Sequence, residues 1–382
     1  MKILMIGWGF PPKIEGGMDI HCYEISKRLV ELGHDVNLIL PNFNSPPYKN
    51  VEGINIFPIE CEKNFSSIFY LVKTIEDYNK KIFNSFKDFN FDIIHSHDWI
   101  SVLASLQLKQ ITKKPWVLNL HSLEYIRAAG NIFGENEIEK IEILGMENCD
   151  KILTVSNLMK RILVENYKIN PKKIEVIYNA ASFSSENARP ENVREKYNLE
   201  DEPIIFFLGR LTEQKGIEYL IYAAKKILKK FPDTKILISG QGYLLESLKK
   251  FSRILGIEDS IIFTGFLPPE ELKDYYSAAD VFVSPSIYEP FGITILEAME
   301  CETPVIVTEN TGVAENFNHL KHLIKVKPRN SDELAKSVIT LLKNKSLKKK
   351  IGKSGKEFSR KIYSWDKITK NIIKIYEEVK KA

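Results

Sequence analysis

The sequence has few cysteines and no long apolar run, and both shortages limit what the protein can be. Its four cysteines, Cys22, Cys61, Cys149 and Cys301, lie far apart, and no C-x-x-C pair occurs. Neither a disulfide framework nor a thiolate zinc site is therefore expected, and a reducing cytoplasm suits such a chain. The apolar opening over 1–7 is too short for a signal peptide, and no later stretch approaches the length that spans a bilayer. We predict a cytoplasmic protein.

The chain also lacks a large excess of charge of either sign. Its 382 residues include 54 basic and 50 acidic side chains, for a net charge of +4. No region concentrates the basic residues into the stripe that nucleic-acid binders need, so we expect no nucleic-acid partner, whereas small anionic ligands remain compatible. With 44% hydrophobic residues, the chain is long enough for two domains with separate cores.

Short apolar strands alternate with helical patterns along nearly the whole chain. The predicted strands are 2–6, 36–40, 54–59, 91–95, 116–120, 151–155, 174–177, 204–208, 235–239, 261–263 and 281–284, and the longer predicted helices are 18–32, 66–86, 135–148 and 269–278. This alternation predicts parallel sheets with helices on both faces, in which ligands bind at the carboxyl ends of the strands. The polar stretch 183–202 predicts a linker between domains over 1–182 and 203–361, and a terminal segment follows over 362–382.

The loop after the first strand contains glycines but does not match the dinucleotide-binding fingerprint. After Gly7-x-Gly9 the third glycine position is taken by Pro12, and the loop is too long and too rich in proline for that tight turn. A nicotinamide cofactor is therefore not expected. Gly16 and Gly17, at the start of the next helix, either let the backbone approach a ligand closely or serve only as a flexible turn.

Three histidines lie at the ends of neighbouring strands of the first half. His95 and His97 share one face of a strand by its two-residue period, and His121 follows the next strand. A metal site is conceivable, but no third ligand is obvious nearby, and Asp98 can equally cap the next helix. The positions of the histidines favour a polar pocket, against the alternative that each is a structural imidazole.

The second half opens with two cations around a strand-to-helix loop. Arg210 follows the strand and Lys215 precedes the helix, and a guanidinium fork with an ammonium is a suitable pair for a diphosphate. The alternative is two solvated loop cations, which are common in a chain rich in lysine. The next strand ends in Gly240-x-Gly242, which again allows close backbone approach but lacks the rest of the dinucleotide fingerprint.

Two carboxylates bracket a tight turn that opens a helix. Glu289 precedes Pro290 and Gly292, and Glu297 lies inside the helix that follows. The first backbone N–H groups of such a helix bind anions and hydroxyls, although both glutamates could simply cap it. Eight residues of helix separate the carboxylates by roughly 10 Å or more, so we do not interpret them as the carboxylate pair of a glycoside hydrolase.

These motifs together resemble a known family of enzymes. The pattern G-R-L-x-x-x-K-G, the E-x7-E that encloses P-F-G, and the N-terminal P-P-x-x-x-G-G are similar to those of the retaining GT-B glycosyltransferases of family 4, which include glycogen synthase, sucrose synthase and mannosyltransferases. The resemblance covers nearly the whole chain. It implies an α/β fold of two Rossmann-like domains whose parallel sheets face an interdomain cleft. The C-terminal domain would hold a nucleotide-diphosphate sugar, the N-terminal domain would hold the acceptor, and the last helix would pack back on the N-terminal domain.

The family also implies a role for particular residues of this chain. Arg210 and Lys215 would grip the donor diphosphate, and Glu297 would accept hydrogen bonds from the ribose hydroxyls. Glu289 would lie at the donor sugar and His121 near the transferred sugar. The other residues assigned to the donor are Gly17, Gly240, Gly242, Leu267, Phe291 and Gly292, and His97 is a candidate on the acceptor side.

The predicted chemistry is transfer of a hexose to an acceptor hydroxyl with retention of configuration and without a metal or other cofactor. Cleavage of the sugar–phosphate bond leaves a second negative charge on the diphosphate, which fixed cations and helix N-termini stabilise. The sequence has no D-x-D cluster for a diphosphate-bound Mg²⁺, and Arg210 with Lys215 can supply that charge. Two family motifs are altered. In place of N-G-x-D the chain has N-A-A-S at 179–182, and in place of G-G-x-x-E it has T-G-V-A-E at 311–315, which keeps only Gly312 of the two glycines.

Two other functional classes remain open from the sequence. A GT-B-shaped sugar-nucleotide epimerase would share the diphosphate cations, and a non-catalytic sugar-nucleotide-binding module would share the whole site. The donor base, whether uridine, adenosine or guanosine, the sugar, and the acceptor, whether carbohydrate or lipid-linked, also stay open. Peripheral membrane contact is a further hypothesis, because one predicted helix combines aromatic residues with lysines. The residues in question are Lys73, Lys80, Lys81, Lys87, Phe69, Tyr70, Phe83 and Phe86.

Overall fold

The apolar runs of the chain form strands, and the amphipathic runs between them form helices. The computed structural model describes residues 1–130 and 136–381. Its strands are β1 (Lys2–Ile6), β2 (Asp35–Pro41), β3 (Asn50–Val51), β4 (Ile54–Ile59), β5 (Ile93–His97), β6 (Trp116–Leu120), β7 (Lys151–Thr154), β8 (Ile174–Val176), β9 (Ile204–Leu208), β10 (Lys235–Ser239), β11 (Ile261–Gly265), β12 (Val281–Ser284), β13 (Val305–Thr308) and β14 (Ile324–Val326).

The helices have similar bounds to those that the sequence predicts. They are α1 (Gly17–Glu31), α2 (Ile68–Phe86), α3 (Val102–Thr112), α4 (Glu124–Arg127), α5 (Glu137–Asn148), α6 (Asn157–Glu165), α7 (Pro190–Lys196), α8 (Ile217–Leu228), α9 (Leu245–Leu255), α10 (Pro269–Ala278), α11 (Ile293–Glu300), α12 (Ser331–Lys343), α13 (Lys345–Ile362) and α14 (Trp365–Lys381). The predicted start of the fifth helix, residue 135, lies outside the described residues.

The first unit comprises residues 1–179 and the segment from Trp365 onward. Its eight-stranded sheet has the order β3-β4-β2-β1-β5-β6-β7-β8, in which only the short β3–β4 pairing is antiparallel. The central strand β1 is almost wholly apolar, and its residues from Ile3 to Ile6 have no solvent exposure. A continuous apolar run of this kind is typical of a parallel strand that helices cover on both faces.

The terminal helix α14 belongs to this first unit. It packs on α1, where Arg28 Nε donates a hydrogen bond to Asp366 Oδ1 at 3.0 Å. Tyr376, on the opposite end of the helix, is fully buried and its hydroxyl lies 2.5 Å from His95 Nδ1. The helical layer of the first unit is therefore completed by a segment that is distant in the sequence.

The second unit comprises residues 180–364 and has its own parallel sheet. Its six strands have the order β11-β10-β9-β12-β13-β14. Gly216 leads into α8 with a φ of 59°, and a Cβ at this position would lie 2.4 Å from the carbonyl oxygen of Pro285. Only glycine fits this turn, which brings the loop after β9 against the loop after β12. The prediction of two α/β units with parallel sheets is confirmed.

The stretch 183–202, predicted as a linker, is placed differently by the structure, because much of it packs on the second unit. It contains α7, which begins at Pro190 and packs on α10. Asp274 of α10 accepts hydrogen bonds from Arg189 N at 2.7 Å and from Asn192 Nδ2 at 3.0 Å. A carboxylate at a helix start binds the unpaired backbone N–H groups there, so polar residues can make an ordered contact that hydrophobic periodicity does not reveal.

Candidate active site

Two of the predicted donor residues are directly paired in the second unit. Strands β9 and β12 are neighbours, so the loops that follow them lie side by side at the carboxyl edge of the sheet. Lys215 Nζ donates a hydrogen bond to Glu289 Oε2 at 2.6 Å, and the two side chains are only 17% and 10% exposed. Ser286 Oγ donates to the same carboxylate oxygen at 3.1 Å. The structure thus brings the proposed phosphate cation and the proposed sugar carboxylate together.

A third loop fixes the backbone around Glu289. The N–H of Glu289 donates to the carbonyl oxygen of Asn310 at 2.9 Å, and the N–H of Gly312 donates to the carbonyl oxygen of Glu289 at 2.8 Å. Gly312, which the altered G-G-x-x-E motif retains, therefore supports the backbone that carries the carboxylate. The carboxylate is held from both its side chain and its main chain.

The start of α11 has the glycine that its geometry requires. Gly292 precedes the helix with a φ of 101°, and a Cβ there would lie 2.6 Å from Ile295 Cδ1. The side chain of Phe291 is buried, with its ring centroid 5.7 Å from that of Tyr363. The Phe291 side chain is thus a packing element, and any role at the donor falls to the backbone at this helix start.

Glu297 is buried inside α11 with partners of its own. Its carboxylate accepts hydrogen bonds from the hydroxyls of Ser182 and Tyr276, the latter at 2.9 Å. Burial raises the pKa of Glu297, and these two hydroxyls partly offset the rise. The carboxylate therefore accepts hydroxyl hydrogen bonds, as the ribose assignment requires, but it does so within the protein. Among the residues that the structure describes, Glu297 and Glu289 share no hydrogen-bond partner.

Arg210 lies directly after β9 with an exposed side chain. The N–H of Thr212 donates to its carbonyl oxygen at 3.0 Å, which tightens the loop toward Lys215. A Cβ built on the preceding residue, Gly209, would lie 3.8 Å from Lys215 Cε. The stem of Lys215 therefore runs past the backbone that carries Arg210.

The glycines after β10 have a structural reason to be glycine. A Cβ on Gly240 would lie 1.9 Å from the carbonyl oxygen of Gly209, and a Cβ on Gly242 would lie 2.2 Å from the carbonyl oxygen of Leu211. The close backbone approach that the sequence predicts is thus made by the loop after β9. The assignment of Gly240 and Gly242 to the donor stays a prediction, because packing alone accounts for both glycines.

The loop after β11 presents a different side chain from the one predicted. Leu267 is buried, whereas the neighbouring Phe266 is 60% exposed. Gly265 turns the chain there with a φ of 74°. At this loop Phe266, which the sequence reasoning passed over, is the side chain available to a ligand, and an aromatic ring can stack on a planar base.

In the first unit, the loop before α1 is organised by a buried carboxylate. Gly17 is exposed at the first position of the helix, and Asp19 lies beneath the loop. Asp19 accepts backbone hydrogen bonds from Gly9 at 2.9 Å and from Glu15 at 2.8 Å. Burial raises the pKa of Asp19 to about 6. The sequence signal was the spacing of Asp19 from the start of the helix, where acidic residues are common.

The predicted histidines meet at the carboxyl ends of β5 and β6. His97 is paired in register with Asn119, and His97 Nδ1 lies 3.0 Å from His121 Nε2. His21 on α1, which no sequence pattern indicated, joins them, with its ring centroid 4.8 Å from that of His121. Asn179 Oδ1 lies 2.6 Å from His21 Nδ1 and sets the proton on that nitrogen, because an amide oxygen only accepts. We call His21, His95, His97 and His121 the histidine cluster.

The histidine cluster is neutral at physiological pH. Burial lowers the pKa of His21 to about 4 and that of His95 to about 3, and it holds the pKa values of His97 and His121 well below the usual value. Electrostatic interaction with other imidazoles of the cluster lowers the pKa values of His95, His97 and His121 further. Neutral imidazoles offer both a donor and an acceptor, which suits hydroxyl groups. Within the described residues, His21 Nε2, His97 Nε2 and His121 Nδ1 have no hydrogen-bond partner.

Three members of the histidine cluster are close enough to bind a metal ion. His21, His97 and His121 offer ligand nitrogens that lie within 4.8 Å of one another. His95, which shares a strand face with His97, is not among these three, and its Nδ1 contacts the hydroxyl of Tyr376. Nitrogens bound to a tetrahedral ion at about 2.0–2.1 Å would lie roughly 3.4 Å apart, so the three side chains would have to close around it. The facing nitrogens of His97 and His121 already pair with each other.

Two family models together match most of the chain. The one described as Glycosyltransferase Family 4 matches residues 15–183, and the one described as Glycosyl transferases group 1 matches residues 189–358. An uncharacterized glycosyltransferase of Methanocaldococcus jannaschii is 34% identical over 384 residues, which cover 99% of this chain and 98% of that protein.

Solved structures of the same fold cover the whole chain. Sucrose-phosphate synthase from Thermosynechococcus elongatus matches with a TM-score of 0.83 at 23% identity over 99% of both chains. The Anabaena protein HepE, in complex with UDP-glucose, matches with a TM-score of 0.81 at 18% identity over 99% of this chain and 100% of that one.

Proposed function

Because this chain belongs to the GT-B glycosyltransferases of family 4, we propose that it transfers a hexose from a nucleotide-diphosphate sugar to an acceptor hydroxyl, with retention of configuration and without a metal. The observation that carries the proposal is the ion pair between Lys215 and Glu289, at the carboxyl edge of the second sheet. It puts a cation and a fixed carboxylate where adjacent strand ends meet, which is where ligands of parallel sheets bind. HepE, a structural relative, is a protein in complex with UDP-glucose.

The donor diphosphate binds through charge and through helix starts. The side chain of Lys215 is largely buried, and Arg210, on the same loop, has an exposed side chain. Gly292 opens α11 without a side chain in the way, so the first N–H groups of the helix can reach a phosphate or a sugar hydroxyl. When the sugar–phosphate bond breaks, these groups stabilise the charge that develops on the leaving diphosphate. Removal of one such donor typically costs about 3 to 4 kcal/mol of barrier.

Glu289 positions the donor sugar instead of attacking it. One of its oxygens already accepts hydrogen bonds from Lys215 and Ser286. A carboxylate engaged in this way is a weak nucleophile but a good acceptor for sugar hydroxyls through its second oxygen. The acceptor hydroxyl then attacks from the side of the leaving diphosphate, which retains the configuration at the anomeric carbon. An oxygen of the leaving diphosphate takes up the proton that this hydroxyl loses.

His121 and His97 serve the sugar and the acceptor. His121 N donates to Asp98 Oδ1 at 2.6 Å, which fixes the backbone at the end of β6. With neutral rings, both histidines can donate to or accept from hydroxyl groups without carrying a charge into the site. We assign His121 to the transferred sugar and His97 to a carbohydrate or lipid-linked acceptor.

Ligand binding comes first in the test of this proposal. A thermal-shift panel of nucleoside diphosphates and their sugars identifies the donor, because a ligand at 100 times its dissociation constant adds about 2.7 kcal/mol of stability. The selected donor is then incubated with candidate acceptors, and product formation is followed by mass spectrometry. Proton NMR of the transfer product gives the configuration of the new glycosidic bond, which does not change in solution.

Each outcome separates one function from the others. Net sugar transfer with the donor configuration supports the proposal, and an inverted product contradicts the retaining mechanism. Formation of an epimeric nucleotide sugar without acceptor would assign an epimerase. Tight donor binding with neither transfer nor hydrolysis would assign a sugar-nucleotide-binding module.

A further inference from the structure

One short segment of the first unit exposes more large apolar side chains than a solvated loop needs. Residues 65–70 are all exposed, and four of the six are large and hydrophobic. Ile68, Phe69 and Tyr70 are 58%, 52% and 46% exposed. We call Phe65, Ile68, Phe69 and Tyr70 the apolar tip. Single exposed apolar residues are ordinary on protein surfaces, whereas a contiguous group of this size marks a place of contact.

The apolar tip is held in an ordered geometry. Ser67 Oγ accepts a hydrogen bond from Tyr70 N and so caps α2. Thr74 Oγ1 donates to the carbonyl oxygens of Glu62 and Asn64, both at 3.3 Å, which ties the incoming loop to the helix. Further along, α2 buries Ile75, Tyr78 and other apolar residues against the sheet. The body of the helix is thus anchored, and its first turn exposes apolar side chains to solvent.

Lysines flank the apolar tip on both sides. Lys73 Nζ lies 4.3 Å from the centroid of the Phe69 ring, and Lys63 Nζ lies 5.3 Å from the centroid of the Phe65 ring. No acidic residue occurs between Lys63 and Glu76 in the sequence. Glu15 is the acid that faces this group, with Oε1 at 3.4 Å from Lys63 Nζ. Apolar and aromatic side chains between lysines are the composition of a segment that enters the headgroup region of an anionic bilayer.

We propose that the apolar tip docks the protein on the surface of an anionic lipid bilayer. Ile68 and Phe69 enter the boundary between headgroups and acyl chains, Tyr70 lies at the headgroup level, and Lys63 and Lys73 contact lipid phosphates. This differs from docking along the whole of α2, which the sequence suggested. Phe86 is buried, Phe83 is half-buried, and Lys81 pairs with Asp77 at 2.7 Å, so the middle of the helix does not present that surface. Docking of this kind is independent of sugar transfer.

Among the residues that the structure describes, none of the helices has both the length and the apolar character of a membrane span. The contact we propose is therefore peripheral and reversible. Each lysine near an anionic surface favours binding by about fivefold at low salt, and each large apolar side chain that enters the interface contributes about tenfold. Binding should weaken as salt screens the lysines, without disappearing.

The test uses the full chain and extruded vesicles of phosphatidylcholine alone or of phosphatidylcholine mixed with an equal amount of phosphatidylglycerol. The tip variant carries Ile68→Ser and Phe69→Ser, and the control is Ile254→Ser, which changes an exposed isoleucine of α9. We expect the wild type and the control to sediment with the anionic vesicles at low salt, and the tip variant to lose at least about tenfold in partitioning. A further variant, Lys63→Gln with Lys73→Gln, should lose binding to the anionic vesicles only.

Two results would overturn the docking proposal. One is failure of the wild type to bind anionic vesicles at low salt, and the other is equal binding by the wild type and a tip variant whose thermal unfolding is normal. If the wild type instead forms dimers that the tip variant abolishes, the surface is an interface between two copies. Vesicle binding is measured without donor or acceptor. It can therefore fail while sugar transfer succeeds, and sugar transfer can fail while vesicle binding succeeds.

Discussion

The ion pair of Lys215 with Glu289 allows a test in which binding and catalysis change in opposite directions. We expect Glu289→Gln to bind the nucleoside diphosphate more tightly than the wild type does, and to transfer sugar more slowly. In the wild type the Glu289 carboxylate is paired with the Lys215 ammonium, which is the cation that the diphosphate needs. The glutamine keeps the shape and a hydrogen-bond acceptor but removes the competing negative charge.

The size of the effect follows from the distance and the exposure. Two unit charges about 4 Å apart interact by about 4 kcal/mol at an effective dielectric constant of about 20. The side chains are 17% and 10% exposed. Solvent therefore screens part of the interaction, and we expect about 1.5 to 3 kcal/mol, or roughly 10- to 100-fold in the dissociation constant of the diphosphate.

Isothermal titration with the nucleoside diphosphate selected by the thermal-shift panel measures this effect. The matched control is Glu300→Gln, which breaks a different ion pair of the second unit, that of Glu300 in α11 with Arg360. The control should bind the diphosphate as the wild type does. If Glu289→Gln binds no more tightly than Glu300→Gln, then Lys215 does not hold the diphosphate, and the assignment of the donor site fails.

Four further predictions address the remaining features. His121→Ala should slow transfer by about 100-fold, because a hydrogen bond to the transferred sugar is lost. Steady-state rates measure this effect, with His319→Gln, at an exposed position, as the control. Equal rates for the two variants would remove His121 from the mechanism. Tyr276→Phe should destabilise the second unit by about 1 to 3 kcal/mol, because the buried Glu297 carboxylate loses a donor, and urea unfolding followed by circular dichroism, with Tyr243→Phe as control, measures it. In the folded protein the pKa values of the histidine cluster lie below those of the unfolded chain, so as the pH falls the unfolded chain takes up protons first. The free energy of unfolding should therefore fall from pH 6.5 toward about 4, by up to about 1.4 kcal/mol per pH unit for each histidine. All four tryptophans lie in the first unit, so tryptophan fluorescence reports that loss, and a flat profile would contradict it. Finally, transfer should be the same in excess EDTA as in added Mg²⁺, and a rate that chelation abolishes would refute the metal-free proposal.

The periodicity of the chain was sufficient to predict the sheets, because buried parallel strands are continuous apolar runs. It placed β9 and β12, and hence Lys215 and Glu289, without a structure. What it did not reveal was side-chain pairing: two loops 74 residues apart in sequence meet in one ion pair. Contacts between distant segments depend on strand order, which local patterns do not encode.

Individual residues show the same limit, that a sequence pattern does not reveal contacts between distant elements. His21 lies on the inner face of α1, where a lone histidine resembles any polar interruption, yet it joins the histidine cluster. The family resemblance assigned Leu267 to the donor, but Leu267 is buried and Phe266, after the turn at Gly265, is exposed. The polar stretch 183–202 was predicted to be a linker, because Asp274, the residue that anchors it, is some eighty residues away in the sequence. In each case the deciding partner comes from another element.

The chain leaves the first unit after residue 179 and returns to it only at residue 365. During synthesis, the ribosome must therefore make the whole second unit before α14 exists to cover α1 and to bring Tyr376 to His95. The second unit, by contrast, is one continuous segment and can fold as soon as it emerges. A nascent chain arrested before residue 365 would have all the strands of the first sheet but would lack the helix that covers α1 and the Tyr376 hydroxyl that contacts His95, although the whole second unit was already made.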